Sequence, residues 1–195
     1  MAIQLLTPRV GWILTDLAPA MTIESAVILH TTDGGTHWTA LRSSVFPTHP
    51  VWRSEPQGLT AEFEKNGVTF RSPNVGWVTG GNYAPHEVLF ERTTNGGQTW
   101  RPTTALFNAG SGTSSWSFVG IRDGWVLADY RLYRTTDGGS SWTPIAQHRH
   151  LPHWTAIDFV TTTQGWATTT SSSTPLWKTT NGGNTWTSVS TQLPL

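Results

Sequence analysis

One eight-residue segment occurs four times in this chain, and that repetition limits the fold more than any other feature. The copies are Thr31-Thr32-Asp33-Gly34-Gly35-Thr36-His37-Trp38, Thr93-Thr94-Asn95-Gly96-Gly97-Gln98-Thr99-Trp100, Thr135-Thr136-Asp137-Gly138-Gly139-Ser140-Ser141-Trp142 and Thr179-Thr180-Asn181-Gly182-Gly183-Asn184-Thr185-Trp186. Ahead of each lies a Gly-Trp pair: Gly11-Trp12, Gly76-Trp77, Gly124-Trp125 and Gly165-Trp166. Eight matches in strict alternation are not chance. A chain built this way folds as repeated units, each too small to bury its own apolar face.

Aligning the copies exposes more of the unit. Six residues before each Gly of the pair stands Leu5, Phe70, Phe118 or Phe159, and two earlier stands Ile3, Val68, Trp116 or Ile157. An i, i+2 apolar pair marks a strand with one buried face. Five residues before each box Asp or Asn comes Ile28, Phe90, Leu132 or Leu176, and three before it comes His30, Arg92, Arg134 or Lys178. The unit therefore reads as four strands. Strand A ends near the Leu/Phe position, B starts at the Gly-Trp, C leads into the box, and D carries the box Trp onward. The box is a hairpin turn in which Asp or Asn accepts backbone N–H bonds and the Gly pair supplies positive φ. The Trp after it can fold under the turn. No segment holds a helical period, so the expected class is all-β.

Repeated four-stranded units of this length, rich in Gly and aromatics, predict β-propeller blades. The boxes resemble the Asp-box, or bacterial-neuraminidase, repeat. Its carriers here are Asp33, Asn95, Asp137 and Asn181 with Trp38, Trp100, Trp142 and Trp186. The fuller pattern, Gly-Trp followed by Arg/Lys-Thr-Thr-Asp/Asn-Gly-Gly-x-x-Trp, is most similar to photosystem II stability/assembly-factor propellers. It is also similar to the blades of xyloglucanases and sortilin-type receptors. One propeller domain over 1–195 is expected, with blades at about 2–42, 61–104, 113–147 and 154–191 and an insertion at about 43–60.

Composition narrows the function. Charged residues are 12% of the chain and balance to zero, so a basic nucleic-acid surface is disfavoured. Twelve Trp and seven Phe supply the apolar area that a disordered chain lacks. Without cysteine there is no disulfide frame, thiolate zinc site or Cys nucleophile. No apolar run reaches membrane-span length. Richness in Thr, Ser, Gly and Trp with two Lys points to an extracytoplasmic bacterial protein, periplasmic, secreted or at the cell surface. No leader pattern opens the chain, so export would need one ahead of Met1.

Strand direction sorts the loops into two sides. A–B links and boxes fall together and are nearly uniform, which reads as scaffold. B–C loops and D–A connections fall opposite and vary. From the strand-B Trp to the box Trp the distances are 26, 23, 17 and 20 residues. From box Trp to the next strand-A pair they are 30, 16 and 15. Variable loops on a constant frame are where ligands are held. The expected binding residues are His49, Trp52 and Arg53 with Glu55 in the insertion, and Tyr83 and His86 with Asn82 in the second B–C loop. Tyr130 and the connection carrying His148, His150 and His153 complete the set.

Other chemistries fit less well. A calcium loop needs several carboxylates at alternating spacing, whereas each box has at most one and two boxes have Asn. The run His148-Arg149-His150-Leu151-Pro152-His153 has zinc-type ligands, but no acidic residue stands in it and Arg149 repels a cation. No metal and no cofactor is expected. A sialidase site needs an Arg cluster and a Tyr–Glu nucleophile pair, and no motif joins one of the three Tyr to a Glu. The acids Asp16, Glu24, Glu55, Glu62, Glu64, Glu87, Asp129 and Asp158 form no diagnostic glycosidase pair. The resemblance to photosystem assembly propellers implies an Arg-rich surface facing a partner. Here the row His30, Arg92, Arg134 and Lys178 lies within strand C, where packing of the side-chain stem on a neighbouring blade is the preferred role.

Two readings stand. The first is a non-catalytic binding or scaffold module for a protein or glycan. The second is a carbohydrate-active enzyme, or part of one. Four blades in an open arc would expose faces carrying Ile3, Leu5, Trp12, Ile157, Phe159 and Trp166. A homo-oligomer or a larger assembly would cover them, and a small closed ring would remove them.

Overall fold

In a computed structural model, residues 1–20, 23–41, 58–59, 64–81, 87–103, 115–129, 131–145, 154–170 and 176–189 are described, with backbone alone for 16–20 and 23–25. The candidate binding residues all fall in the remaining segments. Among the described residues there is no helix. Sixteen strands form four antiparallel sheets, each with its strands in sequence order. The first sheet is β1 (Ala2–Leu5), β2 (Gly11–Ala20), β3 (Ile23–Thr31) and β4 (Thr39–Ala40). The second is β5 (Glu64–Phe70), β6 (Gly76–Gly81), β7 (Val88–Thr93) and β8 (Arg101–Pro102). The third is β9 (Ser115–Val119), β10 (Asp123–Ala128), β11 (Arg131–Thr135) and β12 (Thr143–Pro144). The fourth is β13 (Trp154–Phe159), β14 (Gly165–Thr169), β15 (Leu176–Thr179) and β16 (Thr187–Val189).

The sheets are the predicted blades, with one adjustment. Strand D is two or three residues long and starts after the box Trp, which itself stays in the turn. The chain divides into two compact units, Met1–Ala105 with the first two blades and Leu106–Leu195 with the last two.

The Gly of each Gly-Trp pair has a steric cause. It lies directly across from the strand-A residue: Leu5 opposite Gly11, Phe70 opposite Gly76, Phe118 opposite Gly124 and Phe159 opposite Gly165. The strand-A ring folds back over the glycine. A Cβ at Gly76 or Gly165 would sit 2.6 Å from it, and at Gly124 2.5 Å. Glycine is required there for close approach, not for backbone freedom.

The Trp that follows joins one blade to the next in each unit. In the first unit Trp12 stacks on Phe70 of the second blade, centroids 3.7 Å apart and planes 5° from parallel. Its Nε1 donates to the Gly96 carbonyl at 3.1 Å. In the second unit Trp125 stacks on Phe159 at 3.9 Å and 4°, and its Nε1 donates to Gly182 O at 2.9 Å. Both indoles are fully buried. Around them the first unit's core gathers Leu14, Ile28, Val68 and Trp100, and the second's gathers Leu132, Trp154 and Ile157. Leu59, at the end of the insertion, is completely buried in the first of these cores.

Burial corrects the sequence reading in two places. Trp12, Ile157 and Phe159 belong to blade–blade contacts within a unit, so of the six residues expected on open blade faces Ile3 and Leu5 are exposed and Trp166 is half-buried. The box tryptophans are also unequal: Trp100 is 2% exposed, whereas Trp38, Trp142 and Trp186 are half-buried.

Trp100→Ala should therefore cost about 3–5 kcal/mol in urea unfolding, and Trp142→Ala distinctly less. Gly97 has φ 96° and its Cβ position lies 3.0 Å from Leu41 Cδ1. Gly97→Val should cost about 1–3 kcal/mol in the same measurement. Equal losses for the two Trp variants would refute this assignment of burial.

Candidate functional site

Consecutive antiparallel strands put the A–B links and boxes on one side of each blade, and the structure shows what keeps that side uniform. In every box the Thr at the end of strand C donates its hydroxyl to the Asp or Asn side chain, at 2.8, 3.0, 2.7 and 3.1 Å. The same hydroxyl accepts the N–H of the second Gly at 2.9–3.0 Å. The Asp or Asn Oδ1 accepts the N–H four residues on, from His37, Thr99, Ser141 or Thr185. The first Gly donates its N–H across to the A–B link, at Arg9, Asn74, Arg122 and Thr163. Each box is thus a closed hydrogen-bonded turn whose Thr hydroxyl and Asp or Asn Oδ1 are already engaged by protein donors.

The choice between Asp and Asn follows the residue four positions on. Asp33 accepts from His37 Nδ1 at 2.7 Å and Asp137 accepts from the Ser141 hydroxyl at 2.6 Å. Asn95 and Asn181 instead donate Nδ2 to the hydroxyls of Thr99 and Thr185, at 2.9 and 2.8 Å. The His37 backbone N–H, then the His37 ring and the Thr31 hydroxyl, hold the Asp33 carboxyl well below the usual range. Burial works against the charge of Asp137, but the Ser141 hydroxyl and N–H with the Thr135 hydroxyl outweigh it and lower its pKa to about 2.

The basic row sits one step away, over the strand-B indoles. Each member is the cross-strand partner of the Trp in its own blade. His30 stacks on Trp12 at 4.9 Å, Arg92 and Arg134 lie 5.8 and 5.1 Å from the rings of Trp77 and Trp125, and Lys178 Nζ lies 5.6 Å from that of Trp166. The packing role holds on the Trp of the same blade, and Arg134 Nη1 also reaches the next blade, 3.4 Å from the Cβ position of Gly182. Burial lowers the His30 pKa, which suits a ring stacked on an indole. Arg134 also pairs with Asp123 at 3.1 Å. These contacts give the row a structural use, so it does not make an unengaged cationic arc.

Strand A carries contacts that the apolar pattern did not reveal. Gln4 donates Nε2 to Phe70 O at 3.0 Å, and its Oε1 accepts the Phe70 N–H. Ser115 and Ser117 accept the N–H groups of Ile157 and Phe159 at 3.0 and 2.9 Å, and Ser117 donates to Asp158 at 3.1 Å. The signal was available: a short amide or hydroxyl at the alternate positions of strand A, facing the next strand A. Two charged side chains, Lys65 and Glu91, are buried in the second blade, and the sequence reading singled out neither.

The opposite side bears the variable loops. His49, Trp52, Arg53, Tyr83, His86, Tyr130, His148, His150 and His153, with Glu55 and Asn82, lie outside the described residues. What is described is the rim. Leu59 anchors the end of the insertion, and the turn after β10 holds Asp129 at φ 48°, which a short polar side chain tolerates. Among the described residues no three His, Asp or Glu side chains group as metal ligands.

The repeat and its sheets are decided by comparison with known sequences. The family described as photosynthesis system II assembly factor YCF48 matches residues 47–193. The chain belongs to this family. Among solved structures it is similar to a YCF48 bound to D1 peptide, at TM-score 0.51 and 25% identity over 65% of this chain and 40% of that one. It is similar to YCF48 from Cyanidioschyzon merolae at TM-score 0.59 and 16% identity, over 98% of this chain and 56% of that one. A GH74 xyloglucanase from Xanthomonas campestris shares the fold at TM-score 0.58 and 12% identity, over 98% of this chain and 30% of the enzyme. The chain thus spans from under a third to just over half of these proteins. No curated protein matches it by sequence. The YCF48-family blades are four of a β-propeller, as the repeat predicted.

The box carboxylates give a pH test. Their folded pKa values lie below the ordinary 3.8, so their contribution is present above about 4 and is lost as pH falls toward about 2. The double variant Asp33→Asn, Asp137→Asn, copying the other two boxes, should lose less stability between pH 4 and 2 than the parent chain. An unchanged acid limb of the denaturation curve would refute it.

Proposed function

We propose that this chain is a protein-binding module of assembly-factor type, which holds a segment of a partner protein on its variable-loop side and catalyses no reaction. The observation that carries the reading is the match to the YCF48 family together with the likeness, at 25% identity, to a YCF48 bound to D1 peptide. The partition of the blade supports it. The Thr hydroxyls, the Asp or Asn side chains and the Gly N–H groups of the boxes are engaged within the fold, which favours the variable loops as the place to meet a ligand. Likeness to the GH74 enzyme at 12% identity carries the fold and no chemistry. The setting proposed is outside the cytoplasm of a bacterium, on the richness in Thr, Ser, Gly and Trp with two Lys.

The anchors proposed are Trp52 and Arg53, residue types that dominate hot spots at protein interfaces. A tiled peptide array that includes the D1 peptide should yield bound segments, and a glycan array none. For a segment so found, Trp52→Ala with Arg53→Ala should weaken binding at least tenfold, about 1.4 kcal/mol, with melting nearly unchanged. Undiminished binding in that variant, or loss of binding on altering the A–B links instead, would place the site on the wrong side. Glycans bound with no peptide bound would overturn the reading itself.

A further inference from the structure

The dipeptide Asn-Gly occurs three times in this chain, at Asn66-Gly67, Asn95-Gly96 and Asn181-Gly182, and the fold holds the copies differently. Asn-Gly is the sequence most open to loss of a side-chain amide. The backbone nitrogen that follows the Asn attacks Cγ, and glycine puts no Cβ beside that nitrogen and bends readily into the shape required. The N–Cγ bond forms, the Cγ–Nδ2 bond breaks, and the amide nitrogen leaves as ammonia with the glycine N–H proton. Water then opens the cyclic imide at one of its carbonyls, leaving Asp or, with the backbone rerouted through Cγ, isoaspartate.

In the two boxes every group in that reaction is held. Asn95 Oδ1 accepts the Thr93 hydroxyl at 3.0 Å and the Thr99 N–H at 2.9 Å, and its Nδ2 donates to Thr99 Oγ1 at 2.9 Å. The attacking group, the Gly96 N–H, donates to Asn74 O at 2.9 Å. Asn181 repeats the arrangement with Thr179 and Thr185, and Gly182 N–H donates to Thr163 O at 2.8 Å. Bringing Cγ onto the glycine nitrogen breaks these bonds, so a box reacts only from an opened state.

Asn66 is placed otherwise. It is exposed, and its side chain has no hydrogen-bond partner among the described residues. The pairing of β5 with β6 shifts register between Lys65 and Gly67, which lie across from Gly80 and Thr79, so Asn66 is a bulged residue without a cross-strand partner. The bulge also accommodates the product. Isoaspartate adds a methylene to the backbone, which at Asn66 displaces no cross-strand partner. At Asn95 or Asn181 it would shift the Gly96 or Gly182 carbonyl that accepts from Trp12 or Trp125.

We propose that Asn66-Gly67 is a site of spontaneous deamidation in the folded protein, and that the boxes protect the same dipeptide at Asn95 and Asn181. Conversion at Asn66 exchanges an amide for a carboxylate near the end of β5 that pairs with Gly81, and takes the formal net charge from zero to one negative. The chemistry needs water alone and is independent of any partner segment.

The test compares the full chain kept folded at mildly alkaline pH with the same chain unfolded in urea at that pH. Samples are digested in acid, and the three Asn-Gly peptides are quantified by mass spectrometry, with isoaspartate separated by chromatography. Unfolded, the three should convert at similar rates. Folded, Asn66 should go on converting while Asn95 and Asn181 lag it by at least about tenfold, the effect of an opening cost of about 1.4 kcal/mol. An acidic band on isoelectric focusing should accumulate in the folded parent and be largely lost in Asn66→Gln, whose longer side chain closes the ring slowly. Thr99→Val removes the acceptor of the Asn95 amide and should speed Asn95 severalfold, with a urea melt showing the variant folded. The proposal is overturned if Asn95 or Asn181 converts as fast as Asn66 in the folded parent. It is equally overturned if Asn66 keeps its amide there while the unfolded chain loses it, or if folded Thr99→Val leaves the Asn95 rate unchanged.

Discussion

The indole of the strand-B tryptophan is the contact on which the rest of this structure depends. A four-stranded sheet with one apolar face cannot be left in water, and burying a Trp requires a home for its N–H as well as for its rings. Both needs are met by the following blade, Phe70 or Phe159 beneath the ring and Gly96 or Gly182 accepting from Nε1. The requirement then spreads. The accepting glycine must present its carbonyl, which it does from a φ near 75° with its own N–H fixed to the A–B link. The box hydroxyl and carboxylate or amide hold the turn in that shape. The strand-A ring must lie flat over the glycine across from it. The Gly-Trp pair, the strand-A aromatic and the box are therefore one device, and that is why they recur together in one order.

This coupling also divides labour between the two sides of a blade. Changes in the A–B links or boxes disturb the contact between neighbours, so those segments stay short and alike. The stacked rings lie on strands A and B and the accepting carbonyl lies in the box, so the contact sets no length for the B–C loops or the D–A connections. The same frame then serves a YCF48 bound to D1 peptide and a GH74 xyloglucanase, whose difference in use does not lie in the frame.

Much of the frame was legible in the sequence because its causes are local and periodic. The i, i+2 pairs marked strand A, the Gly-Trp marked the start of strand B, and the box marked the C–D turn, each within a residue or two of the observed elements. What depends on a neighbour was less legible. The four box tryptophans look alike in the chain, but Trp100 has Phe70 and a full core around it while Trp142, edge-on to Phe118, is only half-buried. Leu59 sits in what reads as a surface insertion and is buried, because nothing local distinguishes an anchor from a loop residue. Gln4 and Ser117, between the apolar residues of strand A, are links to the next strand A, and the apolar pattern carries no sign of that. For the side proposed to bind, loop lengths indicated where variation lies, but loops without a period carry no information on which of their side chains converge.

The claim that the indole contact couples neighbouring blades is tested most directly by a double-mutant cycle on Trp125 and Phe159. Urea unfolding of Trp125→Leu, Phe159→Leu and the double variant isolates the pair from the general cost of core truncation. The predicted result is a coupling of about 0.5–1.5 kcal/mol, the size expected of a stacked aromatic pair. Additive losses, with coupling below about 0.3 kcal/mol, would mean that the two rings are merely adjacent.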